Sequence, residues 1–283
     1  DFGLVWNAVL EAGTIVVGKH VKLTIEVEAI EATAATESAI EAQAALEDVR
    51  RRGAERLAAS PGAFDAMVNA VTGDDLATLV YTSGTTGKPK GAVHVHGGFL
   101  VKIAEEVAYQ TDVQPGGLLF WFADLGWIMG PWEIVGATAL GATVFLFDGA
   151  PNHPGPDRLW SMVERHAITH LGVSPTLVRA LIPSGEEPVR SHDLSSLRIL
   201  ASTGEPWNPD PYRWFFEEVG KAELPIINLS GGTEVGACFL SPHPISPLEP
   251  CTLRGPALGM DVAVFRADGT EAGPGEVGEL VCR

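Results

Sequence analysis

Short apolar runs alternate with amphipathic stretches from about residue 75 to residue 241. The apolar runs, which are typical of buried strands, lie at 77–81, 118–122, 142–147, 169–173, 197–202 and 225–229. Helical patterns separate several of them: one begins near Asp157, a second begins at Pro175, and a third covers 211–220. This alternation predicts an α/β fold in which helices cover a mostly parallel sheet. Because ligand loops gather at the carboxyl ends of parallel strands, we expect the loops after Tyr81, Thr203 and Leu229 to converge.

The segments on either side of this region have a different pattern. Residues 35–58 are rich in Ala, Glu and Arg and predict a helix that ends at Pro61-Gly62, whereas residues 1–34 hold apolar patches that could be short strands. After Pro242, several prolines indicate an extended loop, and two strands are predicted at 261–266 and 276–282. We therefore divide the chain into an unassigned segment 1–74, an α/β core 75–241, and the start of a small β unit at 242–283.

Composition narrows the class of protein. The 283 residues are 46% hydrophobic and 19% charged, as in globular proteins, and the net charge is −17. Because no basic patch offsets this charge, the sequence argues against nucleic acid and anionic membranes as partners. No apolar run reaches the length of a membrane span, and the start lacks a signal-peptide pattern, so we expect a cytoplasmic protein. The three cysteines include no Cys-x-x-Cys pair, and the eight histidines show no metal-binding spacing.

The segment 81–91 carries the strongest chemical signal in the chain. It follows an apolar run and combines glycines, hydroxyl groups and two lysines, which suits the binding of a polyphosphate. It is not the phosphate loop of P-loop NTPases, since only two residues separate Gly84 from Gly87 and Pro89 follows Lys88. The hydroxyl groups belong to Thr82, Ser83, Thr85 and Thr86, and the charges to Lys88 and Lys90.

This segment resembles the phosphate loop of the adenylate-forming superfamily, which includes acyl-CoA synthetases, luciferases and the adenylation domains of peptide synthetases. Gly204-Glu205-Pro206 resembles the segment of that superfamily that lies against the adenine. The run 228–236 resembles its segment ending in Thr-Glu, which implies that Thr233 reaches the α-phosphate and Glu234 serves magnesium. A carboxylate suits Mg²⁺, which prefers oxygen ligands.

Two further segments resemble the acetyl-CoA synthetase-like branch. Residues 123–130 are similar to its Ala-Asp-x-Gly-Trp segment, and residues 148–152 to its Glu-Gly-x-Pro-Asn segment, with Asp148 in place of Glu. The resemblance, which runs from about Asp75 to Arg283, implies that a carboxylic acid reacts with ATP to give an acyl-adenylate, from which coenzyme A displaces AMP. It assigns catalytic roles to Thr86, Lys90 and Glu234. It assigns ATP contacts to Thr82, Ser83, Gly84, Thr85, Thr86, Gly87, Lys88, Gly204, Glu205, Pro206, Asn228 and Thr233.

One departure from the branch bears on the acid. Acetyl-CoA synthetases carry a Trp two residues before the Thr-Glu pair, where this chain has Gly231. Replacing an indole by a hydrogen opens volume, and each additional methylene buried there would contribute ~0.8 kcal/mol. We therefore expect an acyl group longer or bulkier than acetate, in a pocket lined by Trp127, Ile128, Thr203 and Gly231. A competing interpretation is that neighbouring side chains refill the space.

The role of the histidines near the phosphate loop and the class of reaction stay open at this point. Alternating polar and apolar residues predict a strand that places His94 and His96 on one face. The resemblance implies a position near the acyl pocket for His96, where a structural role is equally compatible. Loading of a carrier protein and non-catalytic nucleotide binding are the competing functions.

The chain lacks some residues that the superfamily needs for the complete reaction. The ribose-binding Asp and the lid lysine of the superfamily would lie beyond Arg283, and the chain begins with Asp1 rather than Met. We therefore interpret the chain as a fragment that is inactive or very slow by itself, because lid closure completes such sites.

Overall fold

The computed structural model of the chain describes residues 34–82 and 89–282. The possible strands within residues 1–33 and the predicted phosphate contacts of residues 83–88 lie outside these ranges. The described helices are α1 Ala34–Ala59, α2 Ala63–Ala70, α3 His96–Glu105, α4 Met129–Ala139, α5 Arg158–His166, α6 Pro175–Leu181, α7 Glu187–Arg190 and α8 Pro209–Trp214. Two π-helical turns, Glu106–Gln110 and Phe215–Val219, extend α3 and α8, and a 3₁₀ turn, Ile182–Ser184, follows α6.

The strands are β1 Leu76–Thr82, β2 Lys90–Val95, β3 Leu118–Trp121, β4 Thr143–Val144, β5 His170–Val173, β6 Ile199–Ser202, β7 Ile226–Asn228, β8 Ser230–Gly232, β9 Ala237–Leu240, β10 Val262–Phe265 and β11 Glu279–Cys282. Five of them form a parallel sheet in the order β4-β3-β5-β6-β7. The predicted α/β fold with a mostly parallel sheet is therefore confirmed.

The parallel sheet separates two hydrophobic clusters, because successive side chains of a strand point to opposite faces. In β6, Leu200 packs into one cluster, whereas Ile199 and Ala201 pack into the other. All four residues of β5 and all four of β6 are buried, as expected for strands covered by helices on both faces. Trp160 and Phe215 are among the largest side chains of the first cluster.

Local signals placed most of the helix starts correctly. Asp157 precedes α5, and the hydroxyl of Ser174 caps α6 by accepting a hydrogen bond from the Leu177 N–H at 3.2 Å. Pro175 occupies the first turn of α6, where its missing N–H has no intrahelical partner in any case.

Three expectations about strands were wrong. β1 does not join the parallel sheet but pairs with β2 in an antiparallel hairpin, with Thr82 opposite Lys90. Only Thr143 and Val144 of the predicted strand 142–147 pair with β3. The histidines do not share a strand face, because β2 ends at Val95 and His96 begins α3.

Backbone hydrogen bonds fix the place where β2 passes into α3. The N–H of His96 donates to the carbonyl of Asp75 at 3.0 Å, and the N–H of Gly97 donates to the carbonyl of Gly73 at 2.8 Å. These bonds hold the first turn of α3 against the segment that precedes β1. Alternation over a few residues could not indicate this turn.

The predicted strands near the end of the chain are present. β10 and β11 form an antiparallel pair, and β8 pairs with β9 in another. The division into units at residues 75 and 242 stays a prediction. Within the described ranges, no helix combines the length and the apolar character needed to cross a bilayer.

Candidate active site

A cavity of about 530 Å³ opens at the carboxyl ends of the central strands. Four of its lining residues directly follow strands of the sheet: Phe122 follows β3, Ser174 follows β5, Thr203 follows β6 and Leu229 follows β7. The strand β7 ends one residue earlier than predicted. The parallel sheet thus delivers residues from four strands to one place, which is the usual position of ligands in open α/β sheets. The loops after β6 and β7 converge as expected.

The four residues predicted to bind the acid all line this cavity. Trp127 and Ile128 come from the turn before α4, Thr203 from the end of β6, and Gly231 from β8. Trp127 is 68% exposed, which places it at the rim rather than in the floor. Three residues of the predicted nucleotide site also line the cavity, and these are Gly204, Glu205 and Thr233. The structure therefore brings together segments that lie a hundred residues apart in the chain.

Two tryptophans form the apolar inner wall. Trp121 and Trp132 are both buried, and their rings meet edge to face with 5.3 Å between centroids. Met129 and Cys238 complete this part of the lining. Such a wall favours an apolar group and excludes water from it.

The Gly-Glu-Pro segment is held by hydrogen bonds and an ion pair. Gly204 has φ +98°, a conformation that glycine adopts without strain. Glu205 accepts a hydrogen bond from the Thr176 N–H at 2.9 Å and pairs with the Arg179 guanidinium. Hydrogen bonds from Thr176 and the charge of Arg179 lower the pKa of Glu205. The carboxylate of Glu205 is thus a fixed negative group on the wall of the cavity.

Hydrogen bonds link the segment 228–234, which contains the Thr-Glu pair, to the loop after β6 and to β2. The hydroxyl of Thr203 donates to the carbonyl of Leu229 at 2.8 Å, which joins the loops after β6 and β7. His94 in β2 reaches the carbonyl of Thr233 at 2.8 Å. The hairpin that carries the predicted phosphate loop is therefore attached to the predicted α-phosphate residue.

Comparison with known proteins identifies the family. The sequence profile of the family described as AMP-binding enzyme matches residues 8–283. The chain belongs to the AMP-binding enzyme family. This match begins before Asp75, whereas the alignments to individual relatives cover about the length that was expected from Asp75 to Arg283.

Relatives and solved structures agree with this assignment to the AMP-binding enzymes. Acetyl-coenzyme A synthetase of Chlorobaculum tepidum is 44% identical over 207 residues, which cover 72% of this chain and 31% of that protein. Acetyl-coenzyme A synthetase of Rubrobacter xylanophilus is 39% identical over 213 residues, which cover 74% of this chain and 33% of that protein. Acetoacetyl-CoA synthetase from Streptomyces lividans superposes with a TM-score of 0.70 at 34% identity, over 77% of this chain and 35% of that one. The chain spans about a third of the length of these relatives.

Some predicted site residues do not line the cavity. Asn228 is buried, and its side-chain amide donates to the carbonyl of Thr252 at 3.0 Å. Pro206 and Glu234 are exposed beside the lining segments. Thr82 and Lys90 face each other where the β1–β2 hairpin opens into residues 83–88, which lie outside the described ranges. The roles of all these residues stay predictions.

Gly231 has a backbone reason for lacking a side chain. A Cβ built on it would lie 2.1 Å from the carbonyl oxygen of Ala237, across the β8–β9 hairpin. An indole at this position therefore requires a different hairpin backbone. Gly231 thus allows the close approach of the two hairpin strands in addition to leaving volume in the cavity.

Sequence reasoning missed two buried carboxylates behind the inner wall. Glu106 accepts hydrogen bonds from the indole N–H of Trp132 at 2.8 Å and from the N–H of Cys238 at 2.7 Å. Glu133 accepts one from the N–H of Trp121 at 2.8 Å, and burial raises its pKa well above the ordinary value of a glutamate. An acid within the apolar run of α4 was the signal that could have indicated Glu133.

The residues present fit a magnesium ion held mainly by phosphates. In the described part of the chain, no three His, Cys, Asp or Glu side chains lie close enough together to hold a metal by themselves. Mg²⁺ commonly keeps several waters and binds through one or two carboxylates together with substrate phosphates. The exposed carboxylate of Glu234, next to Thr233, suits that kind of site.

Proposed function

We propose that the protein is an AMP-forming acid–CoA ligase. One observation carries the proposal: a single cavity at the carboxyl ends of β3, β5, β6 and β7 is lined by both the predicted acid-binding residues and three predicted nucleotide-binding residues. Membership of the AMP-binding enzymes and the names of the relatives support it. ATP, a carboxylic acid and coenzyme A are the proposed substrates.

The first half-reaction forms an acyl-adenylate. An oxygen of the carboxylate attacks the α-phosphorus of ATP, and the bond to the bridging oxygen of the β-phosphate breaks, so that pyrophosphate leaves. Thr233 would donate a hydrogen bond to the α-phosphate, while the 82–88 loop, including Thr86, and Lys90 would bind the other phosphates. Mg²⁺ on Glu234 would offset negative charge on the phosphate oxygens. The role of these residues is to position the groups and to stabilise developing charge.

The second half-reaction transfers the acyl group. The sulfur of coenzyme A attacks the acyl carbon, its thiol proton passes to solvent, and AMP leaves with both electrons of the carbon–oxygen bond. The segment 204–206 would keep the adenine in place during both steps, with Glu205 fixed by Thr176 and Arg179. The chain spans about a third of its relatives, so we propose that the full reaction also needs parts of the protein outside these 283 residues.

We further propose an acid longer or bulkier than acetate. The cavity of about 530 Å³ has more room than a methyl group fills, and Trp121, Met129 and Trp132 make its inner wall apolar. The structural relative named acetoacetyl-CoA synthetase acts, by its name, on a four-carbon acyl group. Acetate is the competing acid, because the curated relatives are named acetyl-coenzyme A synthetases.

Carboxylate-dependent exchange between ATP and pyrophosphate by the full-length protein tests both proposals. Straight-chain acids of two to eight carbons should support exchange, with the highest kcat/KM beyond two carbons. A maximum at acetate would reject the longer acid and keep the ligase. Absence of exchange with every acid, despite ATP binding, would reject the ligase.

A further inference from the structure

Glu106 lies directly behind the inner wall of the cavity without reaching the cavity itself. Its side chain is fully buried, and each carboxylate oxygen has a separate partner. Oε2 accepts from the indole N–H of Trp132 at 2.8 Å, and Oε1 accepts from the backbone N–H of Cys238 at 2.7 Å. Both partners line the cavity. One carboxylate therefore fixes two different parts of the wall.

These two parts of the wall belong to different halves of the proposed site. Trp132 lies on α4 and forms the apolar end with Trp121. Cys238 lies on β9 and pairs with Gly231 of β8, two residues before Thr233. Glu106 thus joins the wall proposed for the acyl chain to the hairpin proposed for the α-phosphate.

The backbone that follows Glu106 departs from a regular α-helix. Glu106 begins a π-helical turn, in which the N–H of Thr111 donates to the carbonyl of Glu106 at 3.2 Å. This π turn is the last turn of the helical segment and ends at Thr111. A regular α-helix would rotate the residues after Glu106 relative to α4.

The positive charge of Lys102 lies next to the Glu106 carboxylate. The Nζ of Lys102 lies 3.4 Å from Oε1 of Glu106 and 2.7 Å from Oε2 of Glu105. Lys102 also donates to the carbonyl of Leu258, in the loop after β9. Glu105 shares this lysine but is half-buried and does not line the cavity, so it offers a matched comparison.

We propose that Glu106 is a positioning residue that sets the shape of the acyl end of the cavity and hence the discrimination between acids of different length. This inference rests on the proposed function. A carboxylate can accept from both donors at once, whereas the amide of a glutamine offers one acceptor oxygen and presents an N–H₂ group to the other donor. Glu106→Gln therefore releases either the indole of Trp132 or the β9 strand.

The test compares Glu106→Gln, Trp132→Phe and Glu105→Gln in the full-length protein. For each variant, kcat/KM is measured in pyrophosphate exchange with the preferred acid and with the acid two carbons longer. Glu106→Gln should lower kcat/KM for the preferred acid by roughly ten- to hundredfold, as loss of a buried charge-assisted hydrogen bond implies, and should reduce the preference for it about fivefold. KM for ATP should change less than kcat/KM for the preferred acid.

The other variants make the result specific. Trp132→Phe removes the same indole N–H and should reduce the same preference, and the double variant should fall short of the product of the two single effects, since the residues share one bond. Glu105→Gln should leave the preference at its wild-type value. An equal loss for both acids in Glu106→Gln would reduce Glu106 to a structural role and overturn the proposal. If Glu106→Gln does not fold, Trp132→Phe decides by the same comparison.

Binding separates failure of this inference from failure of the proposed function. Acyl sulfamoyl adenosines mimic the acyl-adenylate and do not react, so their Kd values can be measured by calorimetry without turnover. If the wild type catalyses no exchange, the ligase proposal fails, and the ratio of the Kd values for the acetyl and hexanoyl analogues is compared between wild type and Glu106→Gln. An unchanged ratio, or no binding of either analogue, would refute the positioning role.

Discussion

His94 Nε2 lies 2.8 Å from the carbonyl oxygen of Thr233, which can only accept, so this nitrogen carries a proton and donates. The imidazole also stacks on Phe99 with 4.9 Å between ring centroids. A single side chain on β2 thereby fixes the position of the residue that we propose to contact the α-phosphate. The hairpin that leads into residues 83–88 and the segment after β8 are coupled through this bond.

Replacing His94 by Ala should impair the use of ATP more than the use of the acid. A lost hydrogen bond of this kind costs about 1 kcal/mol, so we expect a drop of about fivefold in kcat/KM for ATP. Pyrophosphate exchange at varied ATP concentration gives this value. His96→Ala is the matched control, because His96 begins α3 and does not line the cavity, and it should leave the exchange rate unchanged. A larger loss of exchange in His96→Ala than in His94→Ala would instead support the expected position of His96 near the acyl group.

The link between Arg179 and Glu205 yields a prediction about the adenine side. Arg179→Met keeps most of the side-chain volume but removes the guanidinium that pairs with Glu205 and also donates to Thr176 Oγ1 at 2.7 Å. Both partners of the ion pair are about a third exposed, so we expect an effect of only ~0.2–1 kcal/mol, seen as a rise in KM for ATP of up to about fivefold. Calorimetric titration with ATP provides an independent value.

Arg190 supplies the comparison for that variant. It pairs with Glu186 and Glu218 away from the cavity. Arg190→Met should leave KM for ATP at the wild-type value. Equal KM values for the two variants would argue that Glu205 does not need Arg179 to hold its position.

Much of the fold could be predicted because its signals are local. Apolar runs indicated the strands of the parallel sheet, and Ser174 with Pro175 indicated the start of α6. The strand at 77–81 was predicted as well, but its sheet was not. An apolar run reports burial, and burial alone does not distinguish a parallel neighbour from a hairpin partner.

The residues behind the site could not be predicted, since their contacts span long stretches of the chain. Glu106 and Cys238 are 132 residues apart in sequence, and Glu106 lies in no segment that resembles the family motifs. Gly231 lies in such a segment, yet its contact with the Ala237 carbonyl depends on how the β8–β9 hairpin folds. Motifs therefore indicated which segments meet at the cavity, but not what holds them there.

Glu133 should make the stability of the protein depend on pH. Burial raises its pKa in the folded state, whereas the unfolded chain has an ordinary carboxyl group with a pKa of about 4.3. The folded state thus binds the proton more strongly, so this contribution to stability is complete below about pH 4.3 and declines as pH rises toward the folded-state value. The decline amounts to about 1.4 kcal/mol per pH unit in that window.

Glu133→Gln removes this dependence while its amide oxygen can still accept from the Trp121 N–H. Urea unfolding of wild type and variant at pH 5 and pH 8 should show the variant gaining stability relative to wild type at the higher pH. Glu133→Leu serves as the control for the hydrogen bond, because it leaves the backbone N–H of Trp121 without its acceptor and should be about 1–3 kcal/mol less stable than Glu133→Gln at both pH values. A constant difference between wild type and Glu133→Gln would show that the carboxyl group does not titrate differently in the folded protein.

Gly231→Ala distinguishes two explanations for the glycine. If the glycine only opens space for a longer acid, an added methyl group would shorten the preferred acid and leave stability unchanged. The contact of 2.1 Å between a Cβ and the Ala237 carbonyl favours the other explanation, in which the hairpin itself must move. We expect a loss of about 1–3 kcal/mol in unfolding free energy and lower exchange with every acid.

Gly98→Ala is the control for that experiment, because a Cβ at Gly98 meets no atom within 4 Å and the residue lies in α3. Alanine in place of this glycine in the first turn of α3 should raise stability by about 0.4–1 kcal/mol, because it reduces the entropy of the unfolded chain. If Gly231→Ala keeps wild-type stability and favours shorter acids, the preferred chain length is set at Gly231 itself. If Gly231→Ala loses stability and keeps the order of acids, the preferred chain length is set by the wall of Trp121 and Trp132. Glu106, which accepts the hydrogen bond from the Trp132 indole, is then the residue to vary.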